Sequence, residues 1–232
     1  IPPTGQIEEH EPRIYFGELQ GQRPDQYSIV GEPPGRPPIE LDTTGGGEGG
    51  NPKTYAYTGK GGVKIGSMWL RLLYAAKFAD VNILLSDRVH PQSKIIYDRT
   101  PRQLVQGAAP WLKVDGDAYP AVVDGRIVWI VDGYTTSNSY PNSERVNLND
   151  VTSDAQTSAG GTVVAQPQDD INYMRNSVKA VVDAYDGSVK LYAWDDTDPV
   201  LKAWSQAFPN IVQPKSAISK DLLDHLRYPQ DF

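Results

Sequence analysis

Two β-hairpins are the feature of the sequence that most constrains its fold. Residues 121–131 and 178–194 each contain two runs of strand-forming residues on either side of an Asp-Gly pair. The two pairs are Asp124-Gly125 and Asp186-Gly187. Asp-Gly is a strong turn signal because both residues tolerate the positive φ angles of tight hairpins. The tetrapeptide Ala-Val-Val-Asp occurs in both hairpins, as an internal duplication would produce.

Four helices are predicted around the hairpins from their first residues. Each begins at a residue whose side chain can cap a helix N-terminus, and in two cases a proline follows. The four capping positions are Ser67, Thr100, Asp198 and Ser219. In the helix after Ser67, apolar residues recur at helical spacing, which predicts a face directed at the core. That face consists of Trp69, Leu72, Leu73, Ala76 and Phe78.

Hairpins and short helices together predict an α+β fold with antiparallel β-hairpins. Aromatic and β-branched residues predict further strands at 13–17 and 27–30, and 81–85 is expected to be a buried segment of either type. The 232 residues can form one large domain or two small ones. We predict a single soluble α+β region with two similar subdomains, residues 13–115 and 116–232.

Two segments are predicted to be flexible loops. Residues 31–52 are rich in Gly and Pro and contain little apolar surface to pack. Residues 134–170 are rich in Ser, Thr, Asn and Asp. A loop of that length within a compact domain is usually functional or disordered.

Composition excludes several classes of function. The chain has no cysteine, which excludes disulfides, thiolate metal ligands and cysteine nucleophiles. The formal net charge is −7. This charge disfavours binding to nucleic acid or to anionic lipid, because both require a positively charged protein surface. The longest apolar runs are far shorter than the ~18 residues that cross a bilayer, so we expect no membrane insertion of this segment.

Four polar residues flank the long loop and form the candidate site. Asp132 and Tyr134 follow the first hairpin, and Arg175 and Asn176 precede the second. If the hairpins pack together, these groups converge near one rim. Arginine beside an aromatic ring suits a carboxylate, a phosphate or a sugar. The structural alternative is that these side chains tie the loop ends to the core.

Other patterns are weaker, and no catalytic residue, metal site or cofactor is assigned. The segment Gly59-Lys60-Gly61-Gly62 resembles a phosphate-binding loop, but Gly61 occupies the position of the required hydroxyl, and a flexible turn is the alternative. Two groups of aspartates contain calcium-type ligands without a complete calcium loop, and turn and cap roles are the alternative. These are Asp115 and Asp117, and Asp195, Asp196 and Asp198.

Seven segments, in order along nearly the whole chain, resemble uncharacterised protein family 0182, a bacterial family. They are Arg13–Glu18, Lys60–Val63, Asn82–Ser86, Trp129–Ser137, Asn172–Lys179, Val182–Gly187 and His225–Pro229. The resemblance implies a large multi-pass membrane protein, of which this chain is one extracytoplasmic piece. The family brings no established activity and no functional residues.

These observations predict an extracytoplasmic binding or interaction module. Its partner is expected to be a cell-envelope component, a transported ligand or the membrane-embedded remainder of the same protein. The alternatives are an envelope enzyme, for which a metal-dependent mechanism is one option, and a purely structural assembly domain. An enzyme requires titratable groups with shifted pKa values that converge in one pocket.

Overall fold

The structure of the chain, a computed structural model, describes residues 11–18, 27–31, 35–38, 40–41, 54–152, 166–229 and 231. It has the predicted α+β class, with short helices and mainly antiparallel strands. The chain divides into two compact units. The helical unit comprises residues 19–99, and the sheet unit comprises residues 1–18 together with 100–232. The sequence-predicted boundary between Asp115 and Gly116 falls inside the sheet unit.

The helical unit contains two small sheets and two helices. Its elements are β1 (Ser28–Val30), β2 (Glu40–Leu41), β3 (Thr54–Tyr55), β4 (Val63–Lys64), α1 (Met68–Phe78), α2 (Asn82–Leu85) and β5 (Lys94–Ile96). Strand β5 pairs antiparallel with both β1 and β4, and β2 pairs with β3. Strand β1 confirms the strand predicted near residues 27–30. Most of the predicted loop 31–52 lies outside the described residues.

Helix α1 starts as predicted but presents the opposite face to the core. Ser67 Oγ accepts the N–H of Leu70, which confirms the N-cap. Ala75, with Tyr74 and Phe78 beside it, packs into the small core of the unit. Of the predicted core face only Phe78 packs there, and the expectation is wrong for Trp69, Leu72, Leu73 and Ala76, which are all exposed. Helix α1 is apolar on two sides, and periodicity alone cannot tell which of them meets the core.

The segment predicted as buried at 81–85 is also mostly exposed. It contains α2, and of its residues only Ile83 is fully buried. Val81 and Leu85 are 57% and 74% exposed, respectively. A four-residue helix has room to bury only one side.

The sheet unit is built on one six-stranded sheet. Its elements are α3 (Pro101–Ala108), β6 (Lys113–Val114), β7 (Tyr119–Val123), β8 (Arg126–Ser137), β9 (Val146–Asn147), α4 (Leu148–Val151), β10 (Asp170–Ile171), β11 (Tyr173–Asp183), β12 (Val189–Ala193), α5 (Pro199–Ala207), β13 (Val212–Gln213), a 3₁₀ turn (Lys215–Ala217) and α6 (Lys220–Asp224). The strand order is β13-β12-β11-β8-β6, and β7 also pairs with β8. All pairs are antiparallel except β12 with β13.

Both predicted hairpins are confirmed. Asp124 and Gly125 have φ angles of 50° and 72°, as a two-residue turn between β7 and β8 requires. Strands β11 and β12 form the second hairpin, and Gly187 in its connection has a φ of 71°. Strand β11 then pairs along β8, so the two hairpins join in one antiparallel sheet.

The sheet is covered on both faces. Helices α3 and α5 bury Val105 and Leu201 on one face, against Val131 of β8 and Ala180 of β11. Helix α6 buries Leu222 on the other face, among the side chains of Tyr119, Ile130, Val181 and Tyr192. The alternating pattern of β8 and β11 explains both cores, because neighbouring side chains of a strand point to opposite faces.

Two segments of the sheet unit differ from their predicted structure. Residues 13–17 form no strand; the N–H groups of Tyr15 and Phe16 both donate to Ala184 O, at 2.8 and 2.9 Å. Phe16 of this segment is buried, but the segment adds no strand to the sheet. The predicted loop 134–170 begins as strand, since β8 continues to Ser137, and it contains β9 and α4. Residues 153–165 lie outside the described residues.

The predicted helix starts at Thr100, Asp198 and Ser219 are confirmed by their caps.

Asp198 does more than cap α5. Its buried carboxylate accepts two backbone N–H groups and three hydroxyl groups, from Thr135, Ser177 and Tyr173. Burial acts to raise the pKa of Asp198, but the hydrogen bonds from these hydroxyls hold it below its usual range. The carboxylate therefore ties α5 to strands β8 and β11.

Replacing Asp198 by alanine should cost much more stability than removing an ordinary cap. We expect Asp198→Ala to lower the free energy of unfolding by about 3 kcal/mol, because buried hydroxyls lose their acceptor together with the cap. Ser219→Ala, which removes only the cap of α6, should cost about 1 kcal/mol. Urea denaturation of both variants measures the difference. Equal losses would show that Asp198 acts as a cap alone.

Candidate functional site

The four predicted site residues lie on the two central strands of the sheet unit. Asp132 and Tyr134 belong to β8, and Arg175 and Asn176 belong to β11. Asn176 pairs with Tyr134 in the register, and Lys179 pairs with Asp132. The register shifts between Asn176 and Val178, which marks a β-bulge at Ser177.

The bulge changes which side chains share a face. Ser177 bonds to Asp198 of the α5 cap, and Val178 packs in the same α3–α5 core. Two successive residues therefore point to one side, as a bulge allows. As a result Asn176 and Lys179 both emerge on the opposite face, where Asp132 lies.

Asp132 is the centre of a buried ion pair. It is 2% exposed, and its Lys179 partner is 1% exposed. Asn176 Nδ2 donates to Asp132 Oδ1 at 2.8 Å, and Lys179 Nζ donates to Arg227 O at 2.9 Å. Burial raises the pKa of Asp132, although Lys179 and Asn176 oppose the rise. The pair joins both central strands to the C-terminal segment that follows α6.

Tyr134 enters a neighbouring polar cluster instead. Its hydroxyl donates to Asp115 Oδ2, and the N–H of Asp231 donates to the same oxygen at 3.2 Å. Gln166 Nε2 donates to Asp231 Oδ2 at 2.5 Å and to Val114 O at 2.8 Å. Burial, followed by the charge of Asp115, raises the pKa of Tyr134 far above its usual value. Tyr134 is thus held protonated, as a hydrogen-bond donor to a buried carboxylate.

Arg175 does not join either group. Its guanidinium donates to Asp195 Oδ2 at 3.0 Å and to Thr197 Oγ1 at 3.3 Å. It also lies 6.0 Å from the ring centroid of Tyr173. The structure therefore brings together Asp132 and Asn176, and it places Tyr134 and Arg175 in two separate sets of contacts.

A cleft of about 350 Å³ opens beside the ion pair. Asn176, Lys179 and Trp194 form its strand side, and the other side is formed by Leu223, Leu226, Arg227, Tyr228 and Pro229. The guanidinium of Arg227 lies 4.6 Å from the ring centroid of Tyr119. Lys215 Nζ lies 3.8 Å from the ring centroid of Trp194. The cleft thus combines apolar walls, one indole ring and nearby cationic groups.

Sequence reasoning missed Lys179, Trp194 and Arg227. One signal was available, since Lys179 interrupts the apolar run of β11, and a lysine in a strand buried on both faces requires an acidic partner. The involvement of Arg227 has no local signal. It follows from the packing of α6 and its C-terminal extension against the sheet.

The weaker candidates have structural roles. Asp195 accepts the N–H of Thr197 in a turn, and Asp115 accepts the N–H of Asp117. Within the described part of the chain, no three acidic or histidine side chains are grouped so as to hold a metal ion. In the glycine-rich segment the carbonyl oxygens of Gly59 and Lys60 accept hydrogen bonds from Lys94 Nζ. These carbonyls face a cation, whereas phosphate binding needs backbone N–H groups.

None of the described helices could span a bilayer, and the longest, α1, has 11 residues.

The sequence profile of an uncharacterised protein family (UPF0182) matches residues 1–232. The chain is 57% identical to a UPF0182 protein of Kineococcus radiotolerans over 232 residues, which are all of this chain and 22% of that protein. It is 55% identical to a UPF0182 protein of Paenarthrobacter aurescens over 222 residues, which are 96% of this chain and 22% of that protein.

A UPF0182 protein of Streptomyces coelicolor is 52% identical over 233 residues, which cover all of this chain and 22% of that protein. The chain thus spans about a fifth of the length of the relatives it matches. No solved structure matches the chain.

Removing one partner of the buried ion pair should be strongly destabilising. We expect Lys179→Met to lower the free energy of unfolding by about 3–5 kcal/mol, because it leaves the carboxylate of Asp132 buried without its cation. The double variant Asp132→Asn and Lys179→Met, which retains an acceptor for Asn176, should recover much of that loss. Urea denaturation of both variants provides the comparison. If the double variant is as unstable as the single one, charge pairing is not the source of the loss.

Proposed function

The chain belongs to the uncharacterised protein family UPF0182, and we propose that it serves the longer proteins of that family as a non-enzymatic binding module. Its ligand is an anionic component of the cell envelope with a ring or an apolar body. We further propose that the module lies on the extracytoplasmic side of the membrane. That placement rests on the family resemblance of the sequence segments.

The cleft beside the ion pair is the observation that carries the proposal. Ligand sites are concave and largely apolar, with a few polar groups at fixed positions. Trp194 offers an aromatic surface, while Leu223 and Leu226 offer apolar contacts. Asn176 and Arg227 add polar groups at its margin. The size of the cleft suits one small ligand or the end of a larger one.

The charge of the cleft favours an anion. Among the described residues, no carboxylate lies within salt-bridge distance of Arg227, although the chain has a net charge of −7. Arg227 is exposed, and its guanidinium stacks over Tyr119. A planar guanidinium held in this way can form two parallel hydrogen bonds to a carboxylate or a phosphate.

The surrounding contacts hold the cleft in place before a ligand arrives. Lys179 binds the carbonyl of Arg227, and the N–H of Arg227 donates to Tyr119 Oη at 3.0 Å. The segment that carries Arg227 is therefore fixed to both strand β11 and strand β7. A binding site that is already ordered loses less entropy when a ligand binds.

Binding is favoured over catalysis by the position of the acidic groups. Burial raises the pKa of Asp132 and of Asp231, which is the kind of shift that catalytic acids often have. Neither carboxylate lines the cleft, however, and both are engaged in internal hydrogen bonds. The groups that do line it are suited to hold a ligand rather than to transfer a proton.

Thermal unfolding with anionic envelope compounds tests the proposal. The probes are N-acetylmuramic acid, glycerol phosphate and inorganic phosphate, with N-acetylglucosamine as the uncharged comparison. Binding to the folded state should raise stability by ~2.7 kcal/mol at a hundredfold excess over Kd. We expect a rise in Tm with at least one anionic probe and none with N-acetylglucosamine. No rise with any anionic probe would contradict the proposed ligand class.

Two arginine variants then locate the site. Arg227→Ala should abolish the ligand-dependent rise in Tm, because it removes the exposed cation of the cleft. Arg175→Ala is the matched control, since Arg175 lies on β11 outside the cleft and is paired with Asp195. Equal loss in both variants would indicate a general charge effect rather than binding in the cleft.

A further inference from the structure

An apolar surface is exposed on the helical unit. On α1, Met68 and Trp69 are each 66% exposed, and Leu72 and Leu73 are 46% and 48% exposed. On α2, Val81 and Leu85 are 57% and 74% exposed. These six side chains are called the α1–α2 face. They lie within 18 consecutive residues, so the exposure is concentrated rather than scattered.

Helix geometry shows that the four α1 residues form one stripe. With about 100° between successive residues, Met68, Leu72, Trp69 and Leu73 cover roughly 140° of the helix surface. Tyr74, Ala75 and Phe78 lie on the remaining side, where they pack into the core. The helix thus has one stripe that packs inside the helical unit and a second one that has no such role.

A stripe of this kind usually marks an interface. Single exposed apolar residues are common on protein surfaces, whereas a concentrated group is characteristic of a surface that another molecule covers. The presence of Trp69 supports this interpretation, because tryptophan is enriched among the interface residues that contribute most to binding. The core cluster against which α1 packs is small, with five buried side chains among the described residues.

We propose that the α1–α2 face is covered by the remainder of the family polypeptide, outside the fifth that this chain represents. The relatives in Kineococcus radiotolerans and Streptomyces coelicolor match this chain along its whole length, yet only over 22% of their own. A covalently linked partner needs no separate encounter, because its effective concentration is high. This proposal does not depend on the cleft of the sheet unit.

The charges of the stretch of chain that carries the face indicate the chemistry of the segment that covers it. Residues 54–99 contain seven Lys and Arg against three Asp, a net charge of +4 in a chain whose total is −7. Lys64, Lys77 and Arg88 are exposed in this region. The covering segment therefore presents an apolar centre with an acidic rim, since complementary charges set the register of an interface.

Hydroxyl-radical footprinting tests whether the face is covered. Oxidation rates at Met68 and Trp69 are measured in the 232-residue chain and in the full-length protein that carries this segment, with a peptide standard to correct for radical dose. We expect both rates to fall at least fivefold in the full-length protein. Unchanged rates would overturn the proposal.

A charged variant gives an independent readout. The double variant Trp69→Lys and Leu72→Lys should leave the Tm of the 232-residue chain unchanged, because both side chains are already exposed there. In the full-length protein it should lower the Tm and increase cleavage by a protease specific for acidic residues, whose sites the two substitutions do not change. Ile211→Lys is the control, an exposed apolar residue outside the face. An equal response of the full-length protein to both variants would contradict the assignment.

Two further measurements address other occupants. Sedimentation of the 232-residue chain at increasing concentration detects a dimer that Trp69→Lys abolishes, which would replace the proposal with a second copy of the chain. Flotation with phosphatidylglycerol vesicles that depends on Trp69 would replace it with a lipid surface. A monomer that does not float, together with protection in the full-length protein, supports the proposal.

Discussion

The buried ion pair between Asp132 and Lys179 is the interaction on which the sheet unit depends. Both charges are almost completely removed from water, and each is acceptable only because the other is present. The pair joins the two central strands, and Lys179 also binds the backbone of Arg227. The sheet, the C-terminal segment and the cleft are consequently held by the same two side chains.

The β-bulge at Ser177 makes that arrangement possible. In a regular strand, Asn176 and Lys179 would point to opposite faces, because their spacing is odd. The extra residue returns both to the face of Asp132 and sends Ser177 towards Asp198. One local irregularity therefore organises two polar networks, one on each side of the sheet. Ordinary strand alternation, before the bulge, separates Asn176 from Arg175, which the sequence placed in the same site.

Local features of the fold were predictable from residues close together in the chain. The Asp124-Gly125 turn and the caps at Ser67, Thr100, Asp198 and Ser219 depend on backbone geometry within a few residues. The candidate site was predicted only in part. Asp132 and Asn176 do meet, but the partners that complete the site, Lys179 and Arg227, are contributed by β-sheet register and by the packing of the C-terminal segment.

The sequence by itself determined the α+β class, the two hairpins, the helix starts and the family, because each depends on local residue order. Only the tertiary structure decided which face of each element is buried. Helix α1 is apolar on two sides, so its periodicity allows either side to meet the core, and the core is filled by Ala75 and Phe78 rather than by Trp69. Long-range packing determines which side of α1 is buried, and the local residue pattern carries no information about it.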